Sequence, residues 1–279
     1  MTRRGLVLGG GGVAGIAWET GLLAGLAEGG VDVLGADLFV GTSAGSTVAA
    51  QVTSGTPLKK LLERQLDPAL QAPELSPVVG SDDVLKLFVE ACEGATDAVD
   101  ARRRIGVMAL KAPTVSEAER RVVIEGRLLS HSWPLSELKI VAVDADTGIE
   151  RVFDIESGVG LVDAVAASCA VPGTWPPVSI GRRRYIDGGV RSGENADLAA
   201  GCDRVLILQV MAIPGNTELD NQVAALRKRG SRVLVIRPDE AVTAAIGPNL
   251  HDPAVRAPAA RAGCAQGLRA VSEVAEFWA

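Results

Sequence analysis

Ser43 lies in the stretch Val40-Gly41-Thr42-Ser43-Ala44-Gly45-Ser46, with a glycine two residues away on each side. The short apolar run Asp37–Val40 before it reads as a strand, and Ser46–Val52 after it suits a buried helix. A serine on a strand-to-helix turn needs small neighbours, because backbone and helix crowd together there. Such a turn projects the hydroxyl at the end of a sheet, beside helix N-terminal N–H groups that stabilise negative charge. The chemistry this allows is nucleophilic attack. A second candidate is Asp187 in Asp187-Gly188-Gly189, at the end of the strand-like run Arg182–Ile186. An aspartate before two glycines serves as a turn residue, or as a carboxylate that a substrate or Ser43 approaches closely. A third is the run Gly10, Gly11 and Gly12, which follows the apolar stretch Gly5–Leu8 and precedes a helical stripe of Ile16, Leu22, Leu23 and Leu26. Strand, glycine loop and helix form an anion-binding arrangement.

Taken literally, Gly10, Gly12 and Gly15 also spell a GxGxxG dinucleotide fingerprint, with Asp32 and Asp37 downstream as ribose ligands. That reading gives a nucleotide-dependent oxidoreductase and leaves Ser43 and Asp187 without roles. The Ser43 turn lies one βα unit after the glycine loop. In neighbouring parallel strands the two turns open on the same edge of a sheet.

The elements that must position these residues form an α/β chain. Residues 54–130 read as helical and loop-rich. Pro57–Glu63 and Asp82–Val89 are amphipathic, Ser116-x-x-Glu119 is a capping-box match, and Pro68, Pro73 and Pro77 are breaks. This stretch is expected as a helical insertion forming a lid or a wall of the site. Arg102-Arg103-Arg104 reads as a solvated helix face, with anionic lipid headgroups as the alternative partner. A hairpin is expected from Leu138–Val143 and Arg151–Asp154, joined by the turn Asp144–Gly148. Val162–Ala170 reads as a small-residue helix, and Pro176-Pro177 opens an extended stretch. Then come a helix start at Asn195-x-Asp197, strands at Arg204–Leu208 and Arg232–Ile236 around a helix near Leu219–Arg229, and a helical tail over 253–278. No internal repeat or low-complexity linker appears, so residues 1–279 are expected as one domain.

The 279 residues are 47% hydrophobic, enough for a large core, and the net charge is −6. An acidic chain without a basic stripe is a poor nucleic-acid binder. Cys92, Cys169, Cys202 and Cys264 have no metal-type spacing and read as small buried hydrophobes of a reducing compartment. The apolar run after Met1-Thr2-Arg3-Arg4 stops at Leu8, too short for a signal-peptide core, and no stretch is long enough to span a bilayer. A cytoplasmic protein that touches membranes only from the surface is expected. The sequence is silent on oligomeric state.

Three separated elements coincide in order: Gly10-Gly11-Gly12-Val13-Ala14-Gly15, Gly41-Thr42-Ser43-Ala44-Gly45 and Asp187-Gly188-Gly189. Together they resemble the patatin-like phospholipase family. Ala167-Ser168-Cys169-Ala170-Val171-Pro172 resembles the stretch that precedes the family's Asp-Gly motif. The likeness spans most of residues 5–210. It implies a three-layer α/β/α fold with a mainly parallel central sheet. It also implies a lipid acyl hydrolase with Ser43 as nucleophile, Asp187 as general base and Gly10, Gly11 and Gly12 as the oxyanion hole. The substrate would be a lipid or other acyl ester, with no metal or organic cofactor. One departure is Ala14, where the family commonly carries arginine. It is the one hint of a lipid-binding relative without catalysis.

A serine hydroxyl needs a base. His131 and His251 are the two imidazoles of the chain. Neither has a motif around it that would complete a Ser-His-Asp triad, so a carboxylate in a water-poor cleft is expected to serve.

Overall fold

The computed structural model describes residues 2–213 and 215–279, leaving aside the side chains of Ser81 and Asp82. Met1 and the Asp82 side chain, which belong to stretches read above, lie outside the described residues.

The chain opens with strand β1 (Arg4–Leu8), helix α1 (Gly12–Glu28), β2 (Leu38–Thr42) and α2 (Ala44–Val52). Four helices follow: α3 (Leu58–Leu66), α4 (Ser81–Cys92), α5 (Ala98–Ala109) and α6 (Glu117–Arg127). The expected capping box is present, with Ser116 and Glu119 each bonding the other's backbone N–H at the start of α6. The hairpin is β3 (Glu137–Asp144) and β4 (Glu150–Phe153). Then come α7 (Leu161–Ser168), β5 (Val178–Ile180), β6 (Arg183–Asp187) and β7 (Arg204–Leu208). The chain ends with α8 (Glu218–Lys228), β8 (Arg232–Ile236), α9 (Glu240–Ile246) and α10 (Arg256–Trp278).

Strands β3-β2-β1-β7-β8 run parallel, each in register with its neighbour. On β3, the β2 partners end at Val141, which faces Thr42, and the β6 partners begin at Ala142, which faces Asp187. Strand β4 pairs with Ile140–Val143 and therefore takes the opposite edge of β3. Thus β2 and the antiparallel β6 share one edge of β3 and meet end to end. The strand ends carrying Ser43 and Asp187 abut because of this junction.

Alternate strand residues point to opposite faces. Leu6, Leu8, Phe39, Ile140 and Leu206 pack under α1, α2, α7 and α10. Val7, Val40, Val141 and Ile207 pack under α8, while Val143 and Ile186 pack under α5. The result is the expected three-layer α/β/α architecture. The 54–130 stretch is divided between the layers: Leu61 of α3 and Ile124 of α6 join the first face, and Ile105 of α5 the second.

Helix α1 is buried on almost every side because α10 lies directly over it. A Cβ added at Gly21 or Gly25 would fall 2.2 or 2.1 Å from the carbonyl oxygens of Ala260 and Cys264. The glycine content thus serves close helix–helix packing as well as helix–sheet packing. Cys169 and Cys202 are buried as expected, whereas Cys92 is exposed and Cys264 half-buried; all four are free thiols. The arginine run forms the expected solvated face only in part, at Arg103 and Arg104. Arg103 and Arg104 pair with Asp100 at 2.6 and 2.8 Å, and Arg102 is largely buried, 4.0 Å from Glu150.

Candidate active site

Ser43 occupies the turn between β2 and α2 with φ 52 and ψ −116, a region that side chains other than glycine rarely enter. Its flanking glycines are required by contact: a Cβ on Gly41 would meet Ser46 Cα at 2.6 Å, and one on Gly45 the Leu8 carbonyl oxygen at 2.0 Å. The strained backbone is pinned from outside the turn. Ser43 N–H donates to Ser168 Oγ at 2.9 Å, and Cys169 Sγ donates to the Ser43 carbonyl at 3.2 Å. This gives the Ala167–Pro172 stretch a physical role. A serine at a helix N-cap ordinarily spends its hydroxyl on the helix N–H groups. Ser43 makes no such bond, so its hydroxyl is left to the cavity.

Asp187 is buried at the end of β6, where its N–H donates to the Ala170 carbonyl at 2.9 Å. Its Oδ1 accepts from Gly189 N–H at 2.7 Å, and its Oδ2 is buried without a hydrogen-bond partner among the described residues. A Cβ on Gly188 would strike the Val141 carbonyl at 2.3 Å, so the first glycine of the motif is dictated by packing. Burial pushes the Asp187 carboxyl up to about 7; the nearby Ser43 hydroxyl and the Gly189 N–H offset part of that push.

The glycine loop and the Ser43 turn open on the same sheet edge, as expected: Leu8 pairs with Gly41, and Gly45 N–H donates to the Gly9 carbonyl at 2.9 Å. The loop is narrower as an anion site than the sequence suggests. Gly10 N–H, expected among the oxyanion donors, donates instead to the Gly193 carbonyl at 2.8 Å. The N–H groups of Gly11 and Gly12, at the start of α1, donate to nothing among the described residues. Gly12 has φ +60, which suits glycine, and a Cβ there would meet the Leu250 carbonyl oxygen at 2.7 Å. Ala14 is fully buried in the core, and its N–H donates to the Leu250 carbonyl at 3.0 Å. Backbone bonds to Gly193 and Leu250 thus order this loop.

Ser43, Asp187 and Gly10–Gly12 line one cavity of about 340 Å³, within the usual size of a small-ligand site. Phe88, Val171, Pro172, Met211, Ile213 and Leu250 supply apolar wall, while Glu194, Gln209 and Arg237 supply a polar end. Burial pushes Glu194 up to about 7, against the opposing effects of Gln209 and Arg237. Behind the loop, Glu19 is fully buried, and burial raises its pKa well above the ordinary value, with the Gly9 backbone N–H acting in the opposite sense.

The histidines separate. His131 is exposed, with Nε2 3.2 Å from the Glu125 carbonyl oxygen, and does not line the cavity. His251 does line it. The dinucleotide residues do not converge. Asp37 accepts from Arg4 N–H at 2.7 Å immediately before β2, on the sheet edge opposite the glycine loop, and Asp32 is spent on Leu34 N–H at 2.9 Å. Sequence reasoning missed Asn195, fully buried with φ 52, whose Nδ2 donates to Thr42 Oγ1 at 3.0 Å and to the Gly188 carbonyl at 3.3 Å.

A strained serine between sheet and helix thus stands at the strand end that abuts the one carrying a buried carboxylate. The patatin-like phospholipase family model matches residues 6–200, which include Ser43 and Asp187, and the chain belongs to that family. No curated protein matches the sequence significantly. Among solved structures, the chain is similar to VipD from Legionella pneumophila, at 13% identity and a TM-score of 0.48, over 98% of this chain and 67% of that one. It is also similar to ExoU, crystallised with SpcU from the type III secretion system of Pseudomonas aeruginosa. That match has 14% identity and a TM-score of 0.38, over 100% of this chain and 53% of that one. The chain therefore spans about half to two thirds of the length of these solved chains.

Proposed function

We propose that this protein hydrolyses carboxylic ester bonds of lipids through an acyl-enzyme formed on Ser43. The observation that carries the reading is Ser43 on a strained turn, its hydroxyl unspent on capping, beside a buried Asp187 whose Oδ2 has no hydrogen-bond partner among the described residues. Ser43 Oγ attacks the ester carbonyl carbon, and its proton passes to Asp187 Oδ2. The oxyanion rests against the Gly11 and Gly12 N–H groups at the N-terminus of α1. Collapse of the tetrahedral adduct breaks the bond to the alcohol, which leaves with the proton from Asp187. Water then attacks the acyl-enzyme and gives a proton to Asp187. The fatty acid departs and Ser43 regains its hydrogen. A base near neutrality suits this task better than an ordinary aspartate, and burial of Asp187 supplies the shift.

The proposal extends to a cytoplasmic protein that meets lipid at a membrane surface. Among the described residues no helix is long and apolar enough to cross a membrane. Exposed Met211 and Ile213 line the cavity, and exposed Leu85 and Val89 flank Phe88 on α4. A fluorophosphonate probe followed by peptide mapping tests the reading. A Ser43 adduct, absent in S43A and slowed in D187N, is expected together with loss of turnover in both folded variants. Ester turnover retained in S43A would overturn it.

A further inference from the structure

His251 is one of the polar groups in the cavity that the hydrolase reading leaves without a task. His251 sits on the 247–252 loop after α9, outside the stretch matched by the family. Its ring lies over the start of α1: a Cβ built on Gly12 would be 3.3 Å from His251 Cδ2. The loop is anchored at that place by Ala14 N–H on the Leu250 carbonyl and by His251 N–H on Asn249 Oδ1, both 3.0 Å. Trp175 holds the ring edge-on, with centroids 6.5 Å apart. Neither ring nitrogen has a hydrogen-bond partner among the described residues, and the side chain faces the same cavity as Ser43 and Asp187. A polar ring fixed by packing, with its nitrogens unspent, is arranged for a ligand rather than for the fold.

We propose that His251 is a catalytic residue that donates a ring N–H to the substrate oxyanion, completing with Gly11 and Gly12 a three-donor site. The inference rests on the hydrolase reading above. Two observations direct it to the oxyanion rather than to proton abstraction. Gly10 N–H is committed to Gly193, so the glycine loop offers two free amides instead of three. The ring also adjoins the N-terminus of α1, where developing negative charge is stabilised, while Asp187 occupies the strand end that abuts Ser43. The protonation state agrees: burial, and then the Arg120 and Arg127 charges, push the His251 pKa below its ordinary value, with Glu74 acting in the opposite sense. A neutral imidazole beside a helix N-terminus is a competent hydrogen-bond donor to a developing oxyanion.

The test uses the full chain and a chromogenic acyl ester. H251Q keeps an N–H donor, whereas H251F keeps a ring against Trp175 and removes the donor. H251F is expected to lose ~100-fold in kcat with little change in KM, as for loss of one oxyanion donor. H251Q is expected to recover most of that loss. The oxoester-to-thionoester rate ratio supplies a readout that a packing role would not move, since sulfur accepts hydrogen bonds weakly; it should shrink in H251F, or in H251L if the phenyl ring prevents folding. Unchanged kcat in folded H251F, or an unchanged ratio, overturns the inference. Failure of the wild type to label at Ser43 would instead overturn the hydrolase reading, so the two failures are distinct.

Discussion

The Asn195 side chain donates to the Thr42 hydroxyl at 3.0 Å, across 153 positions of sequence. The same Nδ2 reaches the Gly188 carbonyl at 3.3 Å. Thr42 precedes Ser43 and Gly188 follows Asp187, so one amide ties together the two strand ends that meet on β3. Arg191 Nη1 donates to Asn195 Oδ1 at 2.7 Å and fixes the direction of the amide. Asparagine also tolerates the left-handed backbone found here.

Replacing this amide should therefore disturb activity more than stability. N195D keeps the shape but cannot donate to Thr42 or Gly188, and N195A removes every bond. Each is expected to lose ~2 kcal/mol of stability from the buried groups left unpaired. Each is also expected to lose about 100-fold in kcat through misplacement of the reacting groups. Denaturant titration and ester kinetics on the same preparations separate the two effects. Wild-type kcat in folded N195A would show that the Ser43 and Asp187 strand ends hold their places without the bridge.

The glycines around Ser43 are predicted to differ sharply from a glycine elsewhere. G45A drives a methyl group into the Leu8 carbonyl, which belongs to the central strand and cannot retreat. It should cost more than about 4 kcal/mol and yield little soluble protein. Gly30, at φ +87 with open space around it, meets backbone strain alone, so G30A should cost about 1 kcal/mol. Thermal melts of the two variants check the contrast.

Why the sequence disclosed Ser43, Asp187 and the loop, but not Asn195 or His251, follows from range. The Ser43 turn and the glycine loop are local devices, spelled by residues within a few positions of one another. Strands β7 and β8 are continuous apolar runs and coincide with their expected spans, Arg204–Leu208 and Arg232–Ile236. The end-to-end meeting of β2 and β6 depends on how both pair with β3, which no local pattern encodes. His251 reaches the cavity through a loop that follows the last strand and the short helix α9, which lies outside the elements expected from sequence. Glu74 sits between the breaks at Pro73 and Pro77, where no local pattern marks burial, and arginines from α6 and α10 draw it inside.

Activity and stability should respond to pH in opposite senses through Asp187. Its folded pKa of about 7 lies above the unfolded value of about 3.9. Between those values the native state holds a proton that the unfolded chain has lost, so stability falls as pH rises from about 4 to 7, then levels off. The lost stability is on the order of 4 kcal/mol at most. D187N should therefore match the wild type near pH 4 and exceed it at pH 8. In the proposed mechanism turnover needs the ionised base, so kcat/KM should climb through about pH 7. Glu194 titrates in the same range from the same cavity, and E194Q separates its contribution to the profile. Stability of D187N that tracks the wild type at both pH values would contradict the buried-carboxyl account.

Glu74 presents the reverse case. Burial alone would raise its pKa, but the Arg127 and Arg120 guanidiniums more than offset this and hold it at about 2. Arg120 approaches Glu74 Oε1 at 2.5 Å, Arg127 contacts Oε2, and Arg256 lies 3.5 Å from the same oxygen. All three arginines are buried, and Arg120 also stacks on Trp175 at 3.8 Å. One carboxylate thus serves three guanidiniums. E74Q should cost roughly 3–5 kcal/mol, because uncompensated charge is left buried. The sign with pH follows from the depressed pKa: the stabilisation is complete above the ordinary carboxylate range and is lost as pH falls through about 4 to 2. The difference in stability between wild type and E74Q should accordingly be large at pH 7 and shrink in acid. A difference that stayed constant from pH 7 to pH 3 would mean that Glu74 acts by packing rather than by charge.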